Sequence, residues 1–98
     1  MFTGTLGLDL LLGDVHSLKD KRGVVRPIVA ELRRRFEVAA AEAGHLDLHR
    51  RALVGVAVVA PDAAHCTQVL DACERLVAAR PEVELLSARR RLYSEEDE

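Results

Sequence analysis

The sequence FTGTLGLDLLL, residues 2–12, decides the fold class together with the stretch HSLKDKR, residues 16–22, that follows it. Large apolar side chains occupy most even-numbered positions of the first stretch, and Thr, Gly and Asp occupy the odd-numbered ones as far as Asp9. A period of two is typical of a β-strand with one buried face. Gly13 and Asp14 interrupt the alternation, so the strand is expected to end at Leu12.

A helix is predicted from Leu18 to about Arg35. The Ser17 hydroxyl can accept a hydrogen bond from the first turn, and Asp20, three residues on, completes a capping box. Pro27 lies inside this helix, so we expect a kink there or a short break near Gly23. The apolar residues repeat every three or four positions and form the predicted buried stripe: Leu18, Val25, Ile28, Val29, Leu32 and Phe36.

Four more elements, with a connection between the first two, are predicted along the rest of the chain. Weak alternation predicts a strand over residues 37–43, and the polar residues 44–51 read as a connection. Residues 52–60 are almost wholly apolar, which is typical of a central strand. Asp62 can cap a second helix over residues 63–79, which Pro81 ends. Residues 82–93 mix apolar and charged side chains and predict an edge strand, protected from edge-to-edge pairing by its three consecutive arginines, Arg89, Arg90 and Arg91.

The predicted order of elements is strand, helix, strand, strand, helix, strand. Right-handed crossovers then give an α+β, ferredoxin-like βαββαβ fold, with two helices on one face of a four-stranded antiparallel sheet. Placing the two most apolar strands in the middle gives the strand order 4-1-3-2. We expect a single domain over residues 1–93 and an acidic tail over residues 94–98.

Composition indicates an ordinary soluble protein of one domain. The chain has 98 residues, of which 49% are hydrophobic and 31% charged. It has no basic, apolar leader and no apolar run near the ~20 residues of a membrane span, so we expect a cytoplasmic protein that does not bind membranes. Cys66 and Cys73 lie about 10 Å apart in a helical pattern, which is too far for a disulfide. Both are expected to be buried, unpaired residues.

Basic residues are concentrated in the first predicted helix. The net charge is −2, but the last four residues are all acidic. Residues 17–35 carry seven basic and two acidic side chains, a local balance of +5. Such a run indicates either a solvated helix face or a surface for an anionic partner.

Catalytic and metal-binding motifs are missing from the sequence. It has no Gly-rich phosphate loop, Cys-x-x-Cys, His-Glu-x-x-His or nucleophile elbow, so we expect neither an enzyme nor a cofactor. The spacing His45-x-Asp47-x-His49 resembles metal ligands, but no fourth ligand is evident. We interpret these three residues as a solvated connection and expect no metal.

The start of the first helix is the candidate binding site. A helix N-terminus carries partial positive charge and free N–H groups, which favour a phosphate. The alternative is that His16 and Ser17 only cap the helix while the charges keep it soluble. The candidate RNA- or anion-binding residues are His16, Ser17, Lys19, Lys21, Arg22 and Arg26.

Few aromatic side chains are available for stacking bases on the open sheet, since Phe2, Phe36 and Tyr93 are the only ones. Any RNA contact would therefore go to backbone phosphates, with strong salt dependence and little sequence specificity. We expect no DNA binding. The uncovered face of the sheet could instead pair with a second copy of the chain.

The sequence resembles the YlxP-like family of small bacterial proteins, a domain of unknown function. The resemblance covers nearly the whole chain and implies a ferredoxin-like fold. Genes of this family often lie beside those for transcription, translation-initiation and ribosome-maturation factors, which implies a ribosome-related role. The stretches that carry the resemblance are residues 16–22, Arg35-Phe36-Glu37-Val38, Ala41-Glu42, Asp47-Leu48 and Arg51-Ala52 with the apolar strand that follows.

Two functions are consistent with these observations. The first is a non-enzymatic accessory factor, linked to ribosome maturation or translation, that contacts ribosomal RNA or a pre-ribosomal particle through the basic helix. The alternative is a dimeric small-anion-binding or regulatory module, with residues 16–22 as its anion pocket and the sheet as its interface.

Overall fold

The computed structural model describes residues 1–95 of the chain. Residues 96–98, which belong to the predicted acidic tail, lie outside the described residues. The predicted order of elements is confirmed. The six elements are β1 (Phe2–Leu12), α1 (Leu18–Arg35), β2 (Ala39–Gly44), β3 (Arg51–Ala60), α2 (Ala63–Ala78) and β4 (Val83–Ser94).

The four strands form one antiparallel sheet in the order β2-β3-β1-β4, which confirms the predicted arrangement 4-1-3-2. β1 lies between β3 and β4, and its register places Leu8 opposite Val54 on one side and Ala88 on the other. The pairing with β4 shifts register between Asp9 and Leu10. The fold is therefore the α+β, ferredoxin-like one expected from the sequence.

β2 differs most from its predicted boundaries, since it begins at Ala39 instead of residue 37. The Phe36 N–H donates to the Leu32 carbonyl and closes the last turn of α1. The Val38 N–H then donates to the Phe36 carbonyl at 2.9 Å, a tight turn across three residues. Residues 36–38 thus make the reversal from helix to strand and are not free to join the sheet.

The core lies between the helices and one face of the sheet. The even-numbered leucines of β1, from Leu6 to Leu12, are at most 1% exposed. α1 is unbroken through Gly23 and Pro27, and its inner side chains cover this face together with those of α2. The fully buried side chains contributed by the two helices are Ile28, Leu32, Cys66, Cys73 and Val77.

Gly4 of β1 lies against Leu70 and Cys66 of α2. A Cβ at this position would lie 2.9 Å from Leu70 Cδ1, so a larger residue here would require the end of the Leu70 side chain to shift. Cys66 and Cys73 are buried and unpaired, as predicted. Burial raises the pKa of the Cys73 thiol to about 11. Within residues 1–95, neither helix is long and apolar enough to cross a membrane.

Candidate nucleic-acid interface

The start of α1 is capped by its own side chains. Ser17 has an extended backbone, and its Oγ accepts from the Asp20 N–H at 3.0 Å, as the predicted N-cap requires. The Asp20 carboxylate accepts from the His16 N–H at 3.2 Å, one residue before the position of a standard capping box. These bonds occupy donors that a phosphate would otherwise use.

His16 lies beside a carboxylate and not beside a cationic side chain. Its Nε2 is 2.7 Å from Asp14 Oδ1, and both side chains are exposed. Asp14 and Asp20 therefore place two carboxylates at the helix start. Since they repel anions, the contacts do not support a phosphate pocket at His16 and Ser17.

Lys21 does not face solvent, and the prediction that it faces a phosphate is wrong in this respect. It is only 2% exposed, the one charged residue buried in the described chain. Its Nζ donates to the carbonyls of His45 at 2.7 Å and Leu48 at 2.8 Å. It also lies 2.8 Å from Glu42 Oε2, an ion pair whose angles fall outside hydrogen-bond geometry.

The buried ammonium joins three elements, because α1 carries Lys21, β2 carries Glu42, and His45 and Leu48 lie in the connection from β2 to β3. His45 has a φ of 57°, a left-handed conformation that costs energy for a residue with a side chain. Its carbonyl is one of the two that Lys21 binds. Lys21 is therefore a structural residue that orders residues 45–48 against the helix.

The remaining exposed cations of α1 lie on one face of the helix. At 3.6 residues per turn, Lys19, Arg22 and Arg26 fall within about 60° of one another and span about 10 Å of the axis. We call these three residues the α1 basic stripe. All three are exposed, and none forms a hydrogen bond or ion pair with the described residues 1–95.

Most other cations of the protein are already paired. Arg90 of β4, for example, lies 2.6 Å from Asp71 and 2.9 Å from Glu74 of α2. Arg75, Arg89 and Arg91 are the remaining basic residues for which residues 1–95 supply no polar partner. The paired ones are Lys21, Arg33, Arg34, Arg35, Arg50, Arg51, Arg80 and Arg90.

A groove runs between the α1 basic stripe and the outer edge of β2. It encloses about 480 Å³, and we call it the α1–β2 groove. Arg33 extends across it and donates from Nε to the Ala40 carbonyl at 2.9 Å. Its lining residues are Arg22, Val25, Arg26, Val29, Ala30, Arg33, Ala41 and Glu42.

A second polar cluster lies on the open face of the sheet. Arg51 Nη2 contacts both carboxylate oxygens of Asp9 at 2.8 Å, and His45 Nε2 is 3.5 Å from the same carboxylate. The hydrogen bond from Arg51 is the main reason why the pKa of Asp9 is below its ordinary value of 3.8. With its charge matched by Arg51, this cluster has the character of a structural ion pair.

The metal-like spacing does not become a metal centre. His45 contacts Asp9, whereas Asp47 and His49 are exposed. No group of three His, Cys, Asp or Glu side chains within residues 1–95 is arranged to hold a metal ion.

Comparison with known proteins identifies the family. The model of the family described as "Protein of unknown function (DUF503)" matches residues 3–90. The chain belongs to this family. It is also 28% identical over 76 residues to the "Uncharacterized protein YlxP" of Bacillus subtilis (strain 168), which covers 78% of this chain and 83% of that protein. The resemblance to YlxP-like proteins, first noted in residues 16–22, is thus confirmed.

In this member of the DUF503 family, small residues line the part of the open sheet face formed by β2 and β3. β2 and β3 present Ala39, Ala41, Gly55 and Ala57 there, in a shallow depression of about 630 Å³. Tyr93 is the only exposed aromatic side chain among residues 1–95. A dimer formed through this face stays a prediction.

Proposed function

We propose that this DUF503 protein is a non-enzymatic accessory factor that contacts RNA phosphates through the α1 basic stripe. The observation that carries the proposal is that Lys19, Arg22 and Arg26 share one helix face and have no partner in residues 1–95. Elsewhere the fold pairs most of its arginines with carboxylates or carbonyls. Unpaired cations aligned on one face supply the charge that a polyanion binds by counterion release.

The chemistry of the stripe favours phosphates over bases. Lysine and arginine contact phosphate oxygens without reading sequence, and no exposed aromatic residue accompanies the stripe on α1. Binding is therefore expected to be weakly sequence-specific and sensitive to salt. The gene neighbourhood of YlxP-like proteins supports ribosomal RNA or a pre-ribosomal particle as the partner, in a role linked to ribosome maturation or translation.

The experiment is a measurement of RNA affinity against salt concentration. For three phosphate contacts on single-stranded RNA, log K should fall with log salt at a slope of about −2, or roughly 20-fold in affinity between 50 and 200 mM. The variant Lys19→Gln/Arg22→Gln/Arg26→Gln should lose most of this slope. Arg75→Gln is the matched control, since Arg75 is an exposed, unpaired arginine on α2.

Equal slopes for the triple variant and the wild type would refute the proposal. A second test is sedimentation of a cell lysate at low and moderate salt. The ribosome-linked role requires that part of the protein sediments with ribosomal particles at low salt and is released at higher salt. Protein that stays in the soluble fraction at both salt concentrations would contradict that role.

A further inference from the structure

The two edges of the sheet differ in how they are protected. β4 carries Arg89, Arg90 and Arg91 and a register shift against β1, features that discourage addition of another strand. β2, the other edge strand, presents the small side chains of Ala39, Ala41 and Ala43 on its exposed face. Its single charged residue, Glu42, turns toward Lys21. β2 also shifts register, against β3 between Glu42 and Gly44, so the regular and uncharged part of its edge is Ala39–Glu42 with only Arg33 bonded to it.

The outer edge of β2 carries backbone groups that the sheet does not use. The Ala40 carbonyl accepts from Arg33, and the Ala41 carbonyl lies on the side of Gly55 in β3. In an antiparallel ladder the N–H and C=O of one residue point the same way, alternating along the strand. Ala40 and Glu42 therefore direct their backbone groups away from β3, toward the α1–β2 groove.

The charge of the groove selects the kind of strand that could pair there. A strand added beside β2 would direct alternate side chains toward α1, where Arg22, Arg26 and Arg33 line the groove. Arg22 and Arg26 have no carboxylate partner among residues 1–95. The remaining side chains of the added strand would lie beside the alanines of β2, which leave room for large apolar groups.

We propose that the β2 edge and the α1–β2 groove bind an extended segment of a partner protein in which acidic and apolar residues alternate. The segment forms a fifth strand, and its backbone bonds to Ala40 and Glu42. Its N–H replaces Arg33 at the Ala40 carbonyl, and the freed guanidinium pairs with one of its carboxylates. This interaction goes beyond the proposed RNA contact, and it uses Arg22 and Arg26 of the same stripe.

A second copy of the chain fits this edge poorly. Two-fold pairing of β2 with β2 would bring both α1 helices onto the same layer, with Arg22, Arg26 and Arg33 of the two copies facing one another. Like charges at such a distance repel. RNA lacks the regular backbone donors and acceptors that extend a sheet, so the edge is better matched by an acidic peptide.

The test uses a short synthetic peptide that alternates glutamate and valine, titrated into the isotope-labelled protein. The expected result is a set of amide shifts centred on Ala40 and Glu42, absent from Arg89–Arg91 on the opposite edge. A peptide with lysine in place of glutamate should bind at least tenfold more weakly. In an antiparallel fifth strand, the residue opposite Ala40 shares its inward face and exchanges both backbone bonds with it, so N-methylation of the central glutamates should likewise abolish binding.

Two variants separate this interaction from RNA binding. Ala40→Pro removes the outward N–H and should weaken peptide binding about tenfold, the effect of one lost hydrogen bond. Because Ala40 is buried, Ala30→Trp offers a second route by filling the groove from its exposed α1 wall. Ala64→Trp, at an exposed position of α2, is its control. Ala40→Pro should leave the salt slope of RNA binding unchanged.

Three results would overturn the inference. One is equal binding of the glutamate and lysine peptides, and another is peptide shifts confined to the open sheet face or absent at millimolar peptide. The third is a dimer in solution with the β2 amides protected, which would show that a second copy occupies the edge. None of these outcomes bears on the RNA proposal, which is tested separately by the salt slope of the stripe variants and by sedimentation.

Discussion

Replacing the buried lysine tests the structural account most directly. Lys21→Met keeps the length of the side chain and removes the ammonium. Two carbonyls, those of His45 and Leu48, then lose their donor, and Glu42 loses its counter-charge. We expect the variant to unfold at much lower denaturant concentration than the wild type and residues 45–48 to lose their fixed conformation.

The expected loss in the free energy of unfolding follows from the carboxylate and the two carbonyls that are left without a partner. Removing one partner of a buried ion pair typically costs about 3–5 kcal/mol, and a buried polar group without a partner costs about 1–3 kcal/mol. The Glu42 side chain is 23% exposed, so water partly relieves its isolated charge and the lower part of these ranges applies. A loss of about 3 kcal/mol is a large share of the roughly 5–15 kcal/mol that a domain of this kind has in total.

Urea denaturation followed by circular dichroism measures this loss, and Lys19→Met supplies the control. Lys19 is exposed and has no partner in residues 1–95, so its variant should stay within about 0.5 kcal/mol of the wild type. The melting temperature of Lys21→Met should fall by about 12 °C or more. If the two methionine variants were equally stable, Lys21 could not hold the β2–β3 connection as described.

Two further predictions concern the core and the open sheet face. Leu32→Ala should cost roughly 2–5 kcal/mol in denaturant unfolding, because Leu32 is fully buried against the sheet, and a loss below about 0.5 kcal/mol would mean that α1 packs differently. Arg51→Gln should remove the interaction that lowers the pKa of Asp9 from 3.8. Since a lowered pKa stabilises the fold above the unfolded-state value, the stability difference between wild type and Arg51→Gln should be full above about pH 4 and shrink as the pH falls further. A difference that does not depend on pH between pH 2 and 6 would contradict the Asp9–Arg51 pairing.

Local patterns in the sequence were sufficient to predict the fold. Period-two alternation in residues 2–12, caps at Ser17 and Asp62, and the apolar run of residues 52–60 each report on structure formed by neighbouring residues. The β2 boundary was less predictable. The turn at Phe36–Val38 depends on how the end of α1 meets the sheet, and alanine-rich sequence carries little strand or helix preference of its own.

The candidate site was predicted only in part, for a different reason. Lys19, Arg22 and Arg26 face outward, as expected, whereas Lys21 is buried. The carbonyls that accept from Lys21 belong to residues 24 and 27 positions further along the chain, so local sequence does not show this contact. A local signal was nevertheless present. Lys21 precedes Val25, Ile28 and Leu32 at spacings of four, seven and eleven, which places it on the buried stripe of α1. Glu42 shares the inward parity of Ala40 in β2, so the two charges could have been paired from sequence.

The motif HSLKDKR thus combines structural and exposed residues within two helical turns. Ser17, Asp20 and Lys21 form the helix cap and the buried link to the β2–β3 connection, and they make these contacts whether or not the protein binds a partner. Lys19 and Arg22 make no contact that the fold requires. Loss of RNA binding in a Lys21 variant would therefore say nothing about phosphate contacts, because the helix and the connection would change with it. Only substitutions on the α1 basic stripe can test the function without disturbing the structure.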